Sequence, residues 1–120
     1  MGKAAISLST GLEDPEKVTV AMLVAVGAAE SGRPTVTFLA KEAVRLAVEG
    51  VATGTACEGC PPLADLVGRY LAAGGTFLVC PICFNAKNLD EQQLIKNASL
   101  GGTVVLWDWI GDDGATTFSY

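Results

Sequence analysis

Short β-branched or apolar runs alternate with longer amphipathic runs along the chain, and that alternation limits the folds open to it. "AAISLS" (residues 4 to 9) reads as a buried strand ending in the turn "TGLED". Asp14 then stands where a helix cap belongs, with Pro15 at the first helical position and Glu16 in the first turn. This helix is expected to reach about Ser31, with Gly32 as its stop. "PTVTFLA" (34 to 40) predicts a second strand, and "KEAVRLAVEG" puts Val44, Ala47 and Val48 at helical spacing before Gly50. A Gly/Thr-rich loop, "VATGTACEGC", leads to Pro61, Pro62 and a helical pattern with Leu63, Leu66, Val67, Tyr70 and Leu71 on one face. Gly74–Gly75 ends that helix, and "TFLVC" predicts a third strand followed by a short helical turn. "LDEQQLIKNA" reads as a helix capped by Asp90, "TVVLWDWI" as a last strand and "GDDGATTFSY" as a polar tail. Such alternation implies an α/β fold: one flavodoxin-like domain over residues 1–120, its parallel sheet covered by helices on both faces.

The balance of residues narrows the function. With 50% hydrophobic and 18% charged residues in 120, the chain can bury a core without staples. Eight scattered Lys and Arg against thirteen acids give a net charge of −5, which argues against a nucleic-acid partner. The longest apolar run, Val18 to Ala29, is too short to span a bilayer, and "MGKAAISLSTGLEDP" does not read as a signal peptide. A cytoplasmic, membrane-free protein is therefore expected. The chain has no histidine, so the commonest general base and metal ligand are missing. Chemistry falls to sulfur, carboxylate, lysine or backbone.

Four cysteines stand in two CxxC pairs, Cys57/Cys60 and Cys80/Cys83. The helix after Pro61 descends roughly 20 Å and the "TFLV" strand climbs back about as far, so Cys60 and Cys80 share the carboxyl edge of the sheet. Open α/β sheets bind ligands on that edge. Cys80-Pro81 and Cys60-Pro61 each resemble a helix cap followed by Pro at the first helical position, where the helix dipole favours thiolate. A strand-end cysteine also reads as a small buried hydrophobe. Three chemical readings stand beside that one. The spacing Cys57-x2-Cys60-x19-Cys80-x2-Cys83 fits a zinc pattern, and an iron–sulfur cluster would accept the same four thiolates. The segment between the pairs supplies its own helix and strand, so folding would not need the metal. A dithiol–disulfide centre is the second reading, because CPIC looks like the CxxC of thioredoxin-like proteins. None of the five prolines lies where that fold presents its cis-proline.

The third reading is sulfur transfer through a persulfide, and it comes with a family resemblance. "ISLSTGLEDPEKVTVAMLVAVGAAESG", "VTFLAKEAVRLA", "CPPLADLVGRYLAAGG", "TFLVCPICFNAKNL" and "LWDWIGDDGATTFSY" together resemble the DsrE/DsrF-like family of small α/β proteins over nearly the whole chain. The resemblance implies a DsrE-like sheet sandwich and a cysteine after a central strand, here Cys80, that accepts sulfane sulfur and passes it on. It also implies a sulfur donor or acceptor protein as partner, no resident cofactor, and a homo-oligomer, trimer or hexamer. Relay subunits generally depend on one working cysteine. Here Cys83 would be a resolving thiol able to attack a persulfide on Cys80, and Cys57 and Cys60 a supporting pair over the site.

Other residues read more plainly. Lys41 and Glu42 follow the second strand and read as a solvated helix start, although a lysine there could hold an anionic sulfur group. Lys87 and Asn88 read as surface beside the CPIC turn, and Ser7, Ser9 and Thr10 as turn caps. Trp107 and Trp109, two apart on an expected strand, would share one face and, with Phe118 and Tyr120, form a subunit interface.

Overall fold

The computed structural model describes residues 2–120. Its strands are β1 (Lys3–Leu8), β2 (Thr35–Leu39), β3 (Thr76–Val79), β4 (Ala98–Leu100) and β5 (Ala115–Ser119). The α-helices are α1 (Pro15–Glu30), α2 (Leu63–Ala72), α3 (Pro81–Ala86) and α4 (Thr103–Ile110), with 3-10 turns at Lys41–Ala47 and Glu91–Gln93. The strands pair in the order β4-β3-β2-β1-β5, and every pairing is parallel. The α/β class and the parallel sheet are as the sequence implies.

The first crossovers follow from sequence chemistry. The Asp14 carboxylate accepts the Lys17 N–H at 3.1 Å and Pro15 starts α1, which buries Val18, Ala21, Met22, Ala25, Val26 and Ala29 at helical spacing. Gly32, at φ +92°, takes the left-handed backbone that ends the helix. α2 turns Leu63, Leu66 and Tyr70 inward. These side chains meet Ile6, Leu8, Leu39, Phe77 and Val79 in the main core on one face of the sheet. The opposite face is thinner: Ala5, Val36, Phe38 and Leu78 lie under Leu106 and Trp109 of α4.

Tyr70 ties the core to the sheet. Its ring lies 5.0 Å from that of Phe77 and above Gly75, where a Cβ would overlap it. Its hydroxyl donates to the Thr76 carbonyl at 2.8 Å and accepts from Thr37 Oγ1 at 3.0 Å. Burial pushes its pKa up to about 12.

Five stretches differ from the sequence expectation. "KEAVRLA" forms a 3-10 turn, because Ala43, Val44, Leu46 and Ala47 must all reach the core within a short connection. Helix α2 starts at Leu63 with Pro62 in the capping position, so Cys60 is not a helix cap. In "LDEQQLIKNA", Asp90 does cap, accepting the Gln92 N–H at 2.9 Å, but only for the turn Glu91–Gln93. The chain then enters β4. "TVVLWDWI" is helix α4, and the tail "ATTFS" is strand β5, paired to β1. An apolar run of eight does not distinguish helix from strand, and tertiary pairing decides. Trp107 and Trp109 therefore point apart: Trp107 is 68% exposed, whereas Trp109 packs on the second face. Lys3 Nζ caps this helix, donating to the Trp109 carbonyl at 2.6 Å and sitting 5.2 Å from its ring.

The raised Tyr70 pKa has a consequence at high pH. Below pH 10 the phenol is neutral in both folded and unfolded chains and its contribution is complete. Between pH 10 and 12 only the unfolded chain ionises, so stability falls by roughly 2–3 kcal/mol. Denaturant titrations across this range should show the fall. In Tyr70→Phe that component should be absent, and stability near neutrality lower by roughly 1–3 kcal/mol from the unpaired Thr37 and Thr76 groups.

Candidate functional site

The carboxyl edge of the sheet is assembled from the ends of β1 to β4. β3 delivers Cys80, whose N–H donates to the Leu39 carbonyl at 2.9 Å and whose carbonyl accepts the Phe84 N–H at 3.0 Å. Cys80 is the capping residue of α3, with Pro81 first in the helix, as the sequence predicts. It is half-buried and touches both hydrophobic clusters. Cys83 follows one helical turn later, also half-buried, and neither sulfur is in a disulfide. Between them Ile82 is 81% exposed, so the outer side of α3 is open to an approaching reagent.

The direction of the chain makes this position distinctive. α3 leaves β3 towards the main core, where Phe84 is buried. The connection from β4, Gly101–Gly102, feeds α4 on the opposite face. Adjacent strands whose connections leave on opposite sides create the crevice in which open α/β sheets bind ligands. Here it lies between β3 and β4. Val79 pairs with Leu100, and the Gly101 N–H donates to the Val79 carbonyl at 3.0 Å, so Cys80 and Gly101 are the next positions up. A Cβ on Gly101 would come within 2.5 Å of Leu78 Cδ1, which shows how closely the chain passes there.

Charged residues brace the neighbouring rim. Lys41 adopts φ +53°, a left-handed conformation uncommon for a non-glycine residue. Glu42 bonds Arg45 Nε at 2.9 Å and Lys87 Nζ at 3.6 Å, joining the 3-10 turn after β2 to the end of α3. The Arg45 guanidinium, with a smaller contribution from Lys87, holds the Glu42 carboxyl below the usual carboxylate range. Lys87 is thus a partner within the fold and Glu42 more than a solvated helix start. Ser9 does not cap the turn after β1; its hydroxyl and its N–H both donate to the Tyr120 carbonyl, at 3.2 and 2.9 Å, and tie β1 to the strand beside it.

The other cysteine pair stands apart. Cys57 and Cys60 are joined by a disulfide in the loop before α2. Cys57 Sγ lies 3.6 Å from Thr19 Oγ1, in the second turn of α1, so the pair sits above the α1 side of the same edge. Among the described residues, no three Cys, Asp or Glu side chains gather as a metal ion would require. Cys-Pro after a strand points to the Cys80 position from the sequence. Gly101–Gly102 carries no such signal, because only Ala98 of β4 falls in the expected helix and residues 99–102 lie between the two expected elements.

Two further features lie elsewhere. A groove of about 380 Å³ lined by Leu78, Asn97, Ser99, Val105 and Trp109 runs between β4 and α4, away from Cys80. Among the described residues no helix is long and apolar enough to cross a membrane.

No protein-family model matches the chain, and no curated protein matches it. Solved structures do. The ychN protein from E. coli superposes with a TM-score of 0.79 at 21% identity, over 98% of this chain and all of the other. MTH1491 from Methanobacterium thermoautotrophicum, described as a protein of unknown function, gives 0.75 at 10% identity, over the full length of both. BT1422 from Bacteroides thetaiotaomicron, a conserved protein also described as of unknown function, gives 0.66 at 16% over 99% and 95% of the two chains. The chain shares their fold. ychN has a DsrE/DsrF-like fold, the type the sequence resembles.

The rim is tightly constrained at Gly11, where a Cβ would fall 2.7 Å from the Glu42 carbonyl oxygen. Gly11→Ala should lower stability by roughly 1–3 kcal/mol, because backbone rather than a flexible side chain must move. Thermal denaturation beside the wild type checks this.

Proposed function

We propose that this chain is a sulfur-handling protein of the DsrE/DsrF-like kind, in which Cys80 carries sulfane sulfur as a persulfide. The observation that carries this reading is the placement of an unpaired, half-buried cysteine at the crevice between β3 and β4, with a second thiol one turn away. The fold shared with ychN and the family resemblance of the sequence support it. Loading is an exchange: the Cys80 thiolate attacks the outer sulfur of a donor persulfide, R–S–SH, giving Cys80–S–SH and releasing the donor as its thiolate, R–S⁻. Cys83 makes a second step available. Its thiolate attacks the Cys80 sulfur of the persulfide, forming a Cys80–Cys83 disulfide and expelling hydrosulfide, which is protonated to hydrogen sulfide. An external thiol then reduces the disulfide.

The half-burial of Cys80 suits this role. The apolar surroundings keep bulk water and small oxidants from much of the sulfur, while the open side of α3 admits a donor. The partners in this reading are a donor or acceptor protein and further copies of the chain. Val104 (73% exposed) and Trp107 lie one turn apart on α4, a large apolar pair for which a homo-oligomer, trimeric or hexameric, offers cover. A Trp107→Glu, Val104→Lys variant should shift sedimentation towards the monomer. An unchanged sedimentation coefficient would remove α4 from the interface.

The decisive test of the sulfur chemistry is mass spectrometry after incubation with a persulfide donor. Wild-type protein should gain about 32 Da, reversed by reductant and mapped to Cys80. Cys80→Ser should lose at least nine-tenths of that gain while keeping its fold. Cys83→Ser should load and hold the persulfide longer, because the resolving attack is gone. Native mass spectra showing zinc or iron, lost from every single Cys→Ser variant alike, would favour a four-cysteine metal site instead.

A further inference from the structure

The Cys57–Cys60 disulfide has properties that neither the fold nor the persulfide chemistry requires. The main core is built from α1, α2, the sheet, the 3-10 turn after β2 and Phe84 of α3, and neither cysteine belongs to it. With a sequence separation of 3, the bond closes a very short loop, and short loops gain least from cross-linking. The backbone already makes the turn, since the Cys60 N–H donates to the Cys57 carbonyl at 3.0 Å. Gly59 supplies the left-handed residue, φ +75°, that such a turn favours. The loop ends are joined separately by the Leu63 N–H, which donates to the Thr55 carbonyl at 2.9 Å. The two Cα atoms, 5.1 Å apart, are therefore held at bonding distance by main-chain geometry. Opening the sulfur bond would leave the thiols facing each other.

The two sulfurs are not equivalent. Cys57 Sγ lies against Thr19 Oγ1 at 3.6 Å, and Thr19 is buried. The Thr19 hydroxyl already donates its hydrogen to the Pro15 carbonyl at 2.8 Å, so its oxygen presents a lone pair to Cys57. Both cysteines are half-buried, but Cys60 Sγ has no buried side chain against it: it lies 3.7 Å from the carbonyl oxygen of exposed Glu58, next to exposed Gly59.

We propose that Cys57–Cys60 is a second reactive site, a reversible dithiol–disulfide couple whose substrate is an external dithiol and whose chemistry is independent of the Cys80 persulfide. The incoming thiolate attacks Cys60 Sγ, forming a mixed disulfide and breaking the bond to Cys57. Cys57 leaves as thiolate, takes up the proton released by the attacking thiol, and its S–H then donates to Thr19 Oγ1. The second thiol of the reagent attacks the reagent's own sulfur in the mixed disulfide, freeing Cys60 and completing the oxidised reagent. Two electrons and two protons pass from the dithiol to the pair. Cys60 is the attacked residue, and Thr19 is a positioning residue acting through Cys57.

The test uses the full chain carrying Cys80→Ser and Cys83→Ser, so that success or failure of persulfide loading has no bearing on it. The protein is equilibrated with oxidised glutathione, then with dithiothreitol, and trapped by alkylation for peptide mass mapping. The expected result is a Cys57–Cys60 disulfide that forms, opens within minutes and reforms over repeated cycles, with an unchanged circular dichroism spectrum throughout. Replacing Thr19 by Val should slow opening several-fold, and Thr19→Ser should restore it. A bond that fails to form, opens only in denaturant, or unfolds the chain when opened would overturn the proposal and make the pair a structural staple. An opening rate unaffected by Thr19→Val would remove Thr19 from the mechanism.

Discussion

In an all-parallel sheet no two neighbouring strands can be joined by a hairpin, so each connection must travel back across a face of the sheet, and its hand is fixed. Everything else in this protein depends on that rule. From β1 through β4 the chain steps in one direction, and right-handed crossovers keep α1 and α2 on the same face. After β4 the chain returns past the whole sheet to add β5 beside β1, and the same handedness throws α4 onto the opposite face. One face thus receives two long crossovers and a deep core. The other receives an eight-residue helix and stays thinly covered, with Val104, Val105 and Trp107 left largely in solvent.

The candidate site lies at that reversal. Cys80 ends the last strand whose connection stays on the deep face, and Gly101 follows the strand whose connection leaves on the other. Side chains retreat to either side, so a cysteine at the parting is neither fully enclosed nor fully solvated. The ion pairs from Glu42 to Arg45 and Lys87 fix α3 against the neighbouring turn, which gives a six-residue helix more order than its length alone provides. Cys57 and Cys60 reach the same edge by another route. They sit in a loop that the backbone has already folded, over Thr19 in the second turn of α1. The fold therefore keeps two sulfur pairs on one edge without merging them.

Much of the fold was legible because local chemistry and tertiary demand agreed. Asp14-Pro15, Gly32 and the spacing from Val18 to Ala29 specify α1 wherever such a segment occurs, and its packing repeats what its sequence prefers. "TFLVCP" was legible for the same reason: a β-branched and aromatic run followed by Cys-Pro is a strand and a helix start in both readings. The misreadings lie where the two diverge. "KNASL" has weak strand character and became β4 only because Phe77, Leu78 and Val79 offered an unpaired edge. "ATTFS" became β5 because β1 offered the other. "TVVLWDWI" is as good a strand as a helix by composition, and the need to cross the sheet made it a helix.

Local chemistry and composition suffice for the α/β class, the first helix and its cap, the position of Cys80 between a strand and a helix start, and the absence of histidine chemistry. Those depend on contacts within a few residues, or on composition. The tertiary structure alone decided the strand order, the identity of β4, α4 and β5, the approach of Gly101 to Cys80, and the separation of the two cysteine pairs. Each of these depends on which strand edges remain unpaired once the others have joined, and an unpaired edge is a property of the assembled sheet rather than of any segment in it.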